Sequence, residues 1–220
     1  SVIDLSRNMG ITSPMEPFPS LCLGSFDMSV YEMVGAYATY ANKGVHSEPL
    51  FVTRIEDRYG NVIATFNPRR SEAIDESSAF LMLNLLEGVV NTGTAVRLRL
   101  RYNLKGAIGG KTGTTQNNSD GWFIGVTPNL VTGIWVGGEE RAIHFDNLSM
   151  GQGANMALPV WALYMQGAYA TPGIGISLDD EFERPLNFNI NLKCPDERTP
   201  KSEDEIEMEI YYQQSSDEFF

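Results

Sequence analysis

The chain has 220 residues, enough for one medium-sized domain with a buried core. Its formal net charge is −12, of which residues 179–220, with 13 acidic and 4 basic residues, carry −9. The rest of the chain has no basic stripe, which argues against nucleic acid as a partner, and no apolar run approaches the roughly 20 residues that span a bilayer. Because the chain begins at Ser1 and not at a methionine, we expect a piece of a longer protein, in which any targeting segment lies upstream.

The first predicted elements are a helix and a β-hairpin. Ser29 and Glu32 form a capping box, and apolar residues at helical spacing follow them, which predicts a helix over residues 30–42. Two apolar segments, 50–55 and 62–66, flank a glycine-containing turn. This arrangement is typical of a β-hairpin.

A second helix is predicted over residues 75–90, with Asp75 as its N-cap. Its apolar residues cover most faces of the helix, so we expect it to be deeply buried. These residues are Phe80, Met82, Leu83, Leu86, Val89 and Val90.

Three strands then follow in close succession, at 110–115, 121–127 and 130–137. The turn at 128–129 is tight, so the second and third strands must be antiparallel neighbours. Between the first and second strands, residues 116–120 form a polar loop.

The last predicted helix begins near Pro159, since proline suits the first helical position. The composition changes after residue 175. We therefore divide the chain into a body, residues 1–175, and an acidic C-terminal extension, residues 176–220. The order of elements in the body predicts an α+β fold in which helices pack on an antiparallel sheet.

The motif that carries chemistry is Lys111-Thr112-Gly113-Thr114, on the first of the three strands. Side chains alternate along a strand, so Lys111 and Gly113 should face one way and the two threonines the other. The ammonium supplies a positive field, a threonine hydroxyl can bind a carboxylate, and Gly113 lets a substrate backbone lie close. A backbone N–H beyond the glycine can point at a developing oxyanion. The strand therefore suits an anionic, peptide-like ligand.

The Lys-Thr-Gly-Thr residues allow two other interpretations, a plain strand and a nucleotide-binding P-loop. The four residues alone are weak evidence for a site, and by themselves they favour a glycine-containing strand with a solvated lysine. A nucleotide-binding P-loop would need a glycine five positions before Gly110, where Lys105 stands. It would also need a helix after Thr112, and the sequence there has no helical periodicity. The P-loop interpretation is therefore disfavoured.

The segments around the motif resemble class A penicillin-binding protein transpeptidases. Residues 106–115 contain the Lys-Thr-Gly strand, 120–130 a Trp-Phe-x-Gly strand, and 134–138 a Trp-Val-Gly strand, in the order that this family has. Shorter matching segments lie at 23–25, 36–44, 93–95 and 157–161. In order and spacing, the resemblance covers roughly residues 1–175.

The resemblance implies the penicillin-binding/β-lactamase-like transpeptidase fold and a serine-based reaction. Such enzymes use the motifs S-x-x-K, S-x-N and K-T-G. Their first serine attacks the penultimate D-alanine carbonyl of a peptidoglycan stem peptide and expels the terminal D-alanine, and the acyl group then passes to an amine on a neighbouring stem. β-Lactams mimic D-Ala-D-Ala and acylate the same serine. The expected partners are therefore peptidoglycan stem peptides and β-lactams.

The resemblance also implies a parent protein that combines a glycosyltransferase with the transpeptidase. We expect this parent to be anchored in the cell membrane, with the transpeptidase facing the periplasm or extracytoplasmic cell wall. The sequence does not predict its oligomeric state.

The family roles can be carried over to the matching positions. Lys111 and Thr114 are the expected catalytic residues: Lys111 supports proton transfer with the S-x-N serine, and the Thr114 N–H is one of two oxyanion donors. Thr112, Gly113, Thr114 and Thr115 are the expected substrate-binding residues, with the hydroxyls of Thr112 and Thr114 holding the substrate carboxylate.

The nucleophile itself is missing. No lysine has a serine three residues before it, so the chain contains no S-x-x-K. Ser6, in Ser-Arg-Asn, is expected on a helix surface, and Ser25 matches a structural position. This chain alone should therefore be inactive. A serine β-lactamase or D,D-carboxypeptidase relative, or a non-catalytic cell-wall peptide-binding module, remains an alternative.

Cysteine and histidine are too few and too scattered to predict a metal site. Cys22 and Cys194 stand in no metal-ligand spacing, and two free thiols are favoured over one disulfide. His46 and His144 lack a paired cysteine or an HExxH spacing, so we expect surface histidines. Neither a metal nor a cofactor is predicted.

Overall fold

The computed structural model describes residues 1–192. In chain order, its helices are α1 (Val2–Asn8), α2 (Val30–Ala41), α3 (Glu76–Asn91), α4 (Arg97–Leu100), α5 (Leu148–Gly151) and α6 (Gly153–Ala170). Its strands are β1 (Val45–Ser47), β2 (Arg54–Glu56), β3 (Val62–Thr65), β4 (Arg70–Glu72), β5 (Gly109–Thr114), β6 (Asp120–Val126) and β7 (Val131–Gly137). Short 3₁₀ turns cover Pro19–Leu23 and Gln116–Asn118.

The central sheet has three antiparallel strands in the order β5–β6–β7. The register places Lys111 of β5 opposite Ile124 of β6. Between β6 and β7, the Thr127 N–H donates to the Leu130 carbonyl at 2.9 Å and closes a tight turn. The three predicted strands and the antiparallel pairing across residues 128–129 are thus confirmed.

Helices cover both faces of this sheet. α2 and α3 pack on one face and α6 on the other. The approach is close: a Cβ at Gly133 would lie 2.8 Å from a methyl of Val34 on α2. A Cβ at Gly125 would overlap the Trp161 ring on α6. Only glycine lets the helices come this near to the strands.

The main core lies between the sheet and α6. The Phe123 ring meets the Trp161 ring edge to face, with centroids 5.2 Å apart. Around this pair are fully buried apolar residues from several elements: Val90, Leu98, Ile108, Leu158 and Met165. The predicted α+β fold, an antiparallel sheet flanked by helices, is confirmed.

Glu32 connects the N-terminal segment to α2. Its carboxylate completes the predicted capping box with Ser29 and also accepts hydrogen bonds from Thr12 and Ser13, including the Ser13 hydroxyl at 2.7 Å. Burial by itself would raise the pKa of Glu32, but the hydrogen bonds from Ser29, Ser13 and Thr12 outweigh it and hold that pKa well below its usual range. The sequence predicted the cap but not the link to residues 12–13.

α3 confirms the second predicted helix and its N-cap, but not its deep burial. The Asp75 carboxylate accepts the Ser78 N–H at 2.9 Å, as an N-cap should. Buried residues occupy one stripe only, at Ala79, Leu83, Leu86 and Val90. Leu85 is 65% exposed. The expectation of burial on most faces was wrong because α3 packs on the sheet from one side.

α6 begins earlier than predicted. It starts at Gly153, so Pro159 lies inside the helix and not at its first position. An internal proline removes one helical hydrogen bond. Here its neighbours Ala157, Leu158 and Trp161 are fully buried, and that packing holds the helix together around the missing bond. The prediction was wrong because the preference of proline for the first helical position depends on neighbouring residues only, whereas the packing around Pro159 involves residues distant in the chain.

β2 and β3 confirm the predicted hairpin, although the paired strands are shorter than 50–55 and 62–66. The register shifts between Ile55 and Glu56, and the Asp57 carboxylate accepts backbone N–H groups across the turn. A second two-stranded sheet, formed by β1 and β4, was not predicted.

Residues 176–186 pack with the body. The first compact unit of the chain is Ser1–Leu186. Ile176 packs against the main core, and Phe182 packs against a smaller buried cluster that includes Leu83. Residues 176–186 thus belong to the first compact unit, whereas the sequence boundary at residue 175 was drawn from a change in composition and stays a prediction.

The second unit begins at Asn187. Within it, residues 187–192 form no helix or strand. The rest of the predicted extension, residues 193–220, lies outside the described residues. Cys194 is one of these residues, so the preference for two free thiols over a disulfide stays a prediction. Among residues 1–192, no helix is both long and apolar enough to cross a membrane.

Candidate functional site

The Lys-Thr-Gly-Thr motif lies on β5, at an edge of the central sheet. Among residues 1–192, β5 pairs with β6 only. Just beyond β5, the Thr115 N–H donates to the Asp120 carbonyl at 3.2 Å. Because inward and outward backbone groups alternate along an antiparallel strand, the N–H and C=O groups of Thr112 and Thr114 point away from β6. They offer an edge with which an extended peptide can pair.

The motif side chains alternate as predicted. Thr112 contacts Thr94 in the turn between α3 and α4, and Thr114 contacts the first turn of α6. Lys111 and Gly113 occupy the other face of the strand. A ligand that lies along the edge of β5 can therefore be reached by the lysine from one face and by the threonine hydroxyls from the other.

Lys111 is exposed at this edge. Its Nζ donates to the Thr112 carbonyl oxygen at 2.6 Å. Among residues 1–192, no carboxylate forms an ion pair with it. Its positive charge is therefore available to an anionic ligand.

Thr112 shares its hydroxyl with a residue that the sequence did not predict as part of the site. The Oγ1 atoms of Thr94 and Thr112 lie 2.8 Å apart. Gly93-Thr94-Ala95 was noted only as a segment that matches the family. That match was the only feature of the sequence that pointed to Thr94, and it did not indicate a chemical role for its hydroxyl.

Thr114 is held by the first turn of α6. Its Oγ1 accepts the Gly153 N–H at 3.0 Å, which leaves the hydroxyl hydrogen free to donate. Arg97 of α4 holds the same turn, since its Nη1 donates to the Ala154 carbonyl at 2.9 Å and to the Asn155 side chain. This support by Arg97 was also missed by the sequence analysis.

Thr115 has its hydroxyl engaged in the turn between β5 and β6. The oxygen lies 2.9 Å from the Ser119 hydroxyl and accepts the Asp120 N–H at 3.0 Å. A ligand would have to replace these contacts. Substrate binding by Thr115 therefore stays a prediction, and the geometry favours a role in forming the turn.

Two tryptophans lie beside the motif. Trp122 is the register partner of Gly113, and its indole N–H donates to Asp120 at 3.1 Å. The Trp135 ring lies 6.5 Å from that of Trp122 and is 41% exposed. The two rings form an apolar rim next to the strand.

The remaining candidates lie outside this arrangement. The Ser6 hydroxyl donates to the Val2 carbonyl within its own helix, and that of Ser25 donates to Ser20. Cys22 is exposed and forms no disulfide within residues 1–192. His144 is exposed, but His46 is half-buried against Gly10, which corrects the prediction of two surface histidines.

A cavity between α3 and residues 178–182 also lies away from the motif. It has a volume of about 660 Å³ and is lined by Glu87 and Arg99 together with residues 178–182. Burial raises the pKa of Glu87, the nearby Arg99 lowers it, and Glu181 raises it further, with a net increase. No residue of the motif lines this cavity, so it is not part of the candidate site.

The profile of the penicillin binding protein transpeptidase domain matches residues 18–137, which include β5, β6 and β7. The chain belongs to this family. The resemblance on which the sequence analysis relied is therefore confirmed.

Curated relatives support the same membership. Penicillin-binding protein 1A of Aquifex aeolicus is 32% identical over 165 residues, which are 75% of this chain and 22% of that protein. Penicillin-binding protein 1B of Vibrio cholerae is 34% identical over 152 residues, 69% of this chain and 19% of that protein. The chain thus spans about a fifth of the length of these relatives.

Solved structures share the fold. The PonA1 protein from Mycobacterium tuberculosis in complex with penicillin V has a TM-score of 0.67 and 26% identity, over 84% of this chain and 52% of that one. Penicillin-binding protein 1A from Haemophilus influenzae has a TM-score of 0.70 and 22% identity, over 82% of this chain and 31% of that one, and supports the fold alone.

Proposed function

We propose that this chain supplies the substrate-binding edge strand of a serine-type D,D-transpeptidase that cross-links peptidoglycan stem peptides. The observation that carries the proposal is the geometry of β5. Its lysine is exposed and free of ion pairs within the described residues, and the backbone groups of Thr112 and Thr114 point away from β6. An added peptide strand would take the place of the Lys111 Nζ at the Thr112 carbonyl.

The ligand would lie along β5 as an added strand. Its carboxylate would meet the Lys111 ammonium and the hydroxyls of Thr112 and Thr114. The Thr114 N–H, which points outward, would donate to the carbonyl oxygen as negative charge develops on it. Gly113, between the two threonines, would leave room for the ligand backbone.

The nucleophile would come from the part of the protein that precedes these residues. Its serine hydroxyl would attack the penultimate D-alanine carbonyl, lose its proton to a neighbouring base and expel the terminal D-alanine as the amine. A second amine would then attack the acyl-serine ester and release the serine. Lys111 would support proton transfer with the S-x-N serine. On this proposal, the present chain alone is inactive.

The parent protein would be a bifunctional glycosyltransferase and transpeptidase, anchored in the cell membrane with this domain in the periplasm or facing the extracytoplasmic cell wall. The relatives are much longer than the segment that they share with this chain, which leaves room for a glycosyltransferase and an anchor. The penicillin V complex of the PonA1 protein supports β-lactams as ligands.

The test uses the longer protein that carries the upstream serine. Losing a charge-assisted hydrogen bond costs about 1.5–3 kcal/mol, or roughly 10- to 150-fold. Lys111→Ala should therefore lower the second-order rate of acylation by a fluorescent penicillin at least about tenfold. Lys105→Ala is the matched control, because Lys105 is an exposed lysine just before β5. Acylation of Lys111→Ala within twofold of wild type would mean that the strand is only scaffold.

A second measurement separates the alternatives. The acyl-enzyme formed from a stem peptide is followed with and without an acceptor amine. A transpeptidase yields cross-linked product, whereas a carboxypeptidase or β-lactamase relative yields only hydrolysis. A non-catalytic module forms no acyl-enzyme.

A further inference from the structure

The turn between α3 and α4 brings Thr94 to the open edge of β5. Its neighbours in the chain are firmly held: the Ala95 N–H donates to the Val89 carbonyl at 3.1 Å, and Ala95 is fully buried. On the other side, the Gly93 N–H donates to the same carbonyl at 3.1 Å. Thr94 itself is exposed, and its hydroxyl takes no part in these bonds. The turn therefore positions a hydroxyl that it does not need for its own stability.

The pair formed by Thr94 and Thr112 has hydrogen-bonding capacity to spare. Each hydroxyl has one hydrogen and two lone pairs, and the 2.8 Å contact uses one hydrogen of the two. Within residues 1–192, neither hydroxyl has another hydrogen-bond partner. One hydrogen therefore remains, and the contact restricts where it can point.

A carboxylate is the ligand group that such a pair suits. It accepts hydrogen bonds and cannot donate one when ionised, so a free hydroxyl hydrogen on the strand that also carries the Lys111 ammonium is complementary to it. The Lys111 Nζ already lies 2.6 Å from the Thr112 carbonyl oxygen, at the edge where the ligand would lie.

We propose that Thr94 and Thr112 act as one hydroxyl pair that binds the carboxylate of the donor peptide or β-lactam, which makes Thr94 a specificity-determining residue for carboxylate-bearing ligands. The inference rests on the function proposed above. It adds a residue outside the Lys-Thr-Gly-Thr strand, and it assigns Thr94 to ligand selection and not to folding.

The test compares four variants of the longer protein that carries the upstream serine. Thr94→Val removes the hydroxyl and keeps the shape, Thr94→Ser keeps the hydroxyl, and Lys111→Ala tests the proposed function separately. Thr92→Val is the matched control. Thr92 is an exposed threonine at the C-terminal end of α3, two residues before Thr94, and its hydroxyl donates to the Gly88 carbonyl of α3. Each variant is acylated by a penicillin and by the methyl ester of the same penicillin, in which the carboxylate is masked.

Thr94→Val should slow acylation by the penicillin roughly three- to tenfold, as expected for one lost hydrogen bond. It should leave the rate with the methyl ester within twofold of wild type. Thr94→Ser should restore the rate with the penicillin, and Thr92→Val should change neither rate.

Three results would overturn the inference. If Thr94→Val slows the penicillin and its ester equally, Thr94 supports the fold and does not select the ligand. If Thr94→Val leaves the penicillin rate unchanged while Lys111→Ala lowers it tenfold, the inference fails and the proposed function stands. If neither variant slows acylation, both fail together.

Discussion

The Arg97 guanidinium donates to the Ala154 carbonyl at 2.9 Å, a contact between residues 57 positions apart that joins α4 to the first turn of α6. The N–H of the preceding residue, Gly153, donates to the Thr114 hydroxyl at 3.0 Å. Arg97 therefore reaches the motif strand through a single helical turn. The position of Thr114 depends on this contact as well as on the sheet.

The first prediction concerns this connection. Arg97→Ala removes two side-chain hydrogen bonds and should lower the free energy of unfolding by about 1–3 kcal/mol. In the longer protein with the upstream serine, it should also slow penicillin acylation a few-fold, because the turn that holds Thr114 becomes looser. Denaturant unfolding and acylation rates are measured together. Arg101→Ala is the control, since Arg101 is exposed in the same short segment; an equal loss in both variants would contradict the prediction.

The second prediction concerns Glu32. Glu32→Gln replaces a buried carboxylate that accepts several hydrogen bonds, and should lower the free energy of unfolding by about 2–4 kcal/mol at pH 7. The pKa of Glu32 is lowered in the folded state, so its contribution is fully present above the unfolded value of 4.5. It is lost as the pH falls towards the folded pKa.

The difference between wild type and Glu32→Gln should therefore shrink between about pH 5 and pH 2. Urea unfolding at a series of pH values measures it. Glu16→Gln is the control, because Glu16 is exposed in the same N-terminal region. A difference that stays constant over this range would mean that the charge of Glu32 contributes nothing to stability.

The third prediction concerns the contact between β6 and α6. Gly125→Ala forces a methyl into the Trp161 ring and should destabilise the fold by about 2–3 kcal/mol, which for a domain of this size lowers the melting temperature by roughly 4–12 °C. At Gly88 of α3, a Cβ would meet nothing within 4 Å. Gly88→Ala should therefore stabilise by about 0.5–1 kcal/mol. Equal melting temperatures for the two variants would rule out the tight packing on Trp161.

The fourth prediction concerns the chain by itself. Because no serine stands three residues before a lysine, the 220-residue chain should form no covalent adduct with a fluorescent penicillin. The mixture is denatured, and the fluorescence that stays with the protein is measured by gel and by intact mass. The longer protein with the upstream serine is the positive control. A stoichiometric adduct on the chain alone would redirect the search for the nucleophile to Ser6 or Ser25.

The sequence by itself predicted the features that depend on neighbouring residues. The Ser29–Glu32 capping box, the Asp75 cap and the turn at 128–129 each depend on interactions within a few residues, so their patterns can be recognised without a structure. The alternation of Lys111 with the threonines follows from strand geometry in the same way.

The tertiary structure decided the features that depend on residues distant in the chain. Thr94 meets Thr112, Arg97 supports the first turn of α6, and α6 continues through Pro159, which local preference placed at its start. The link from Glu32 to Ser13 is of the same kind. Each of these contacts forms because the sheet and helices bring the partners together in space, and a propensity or a motif contains no information about such a partner.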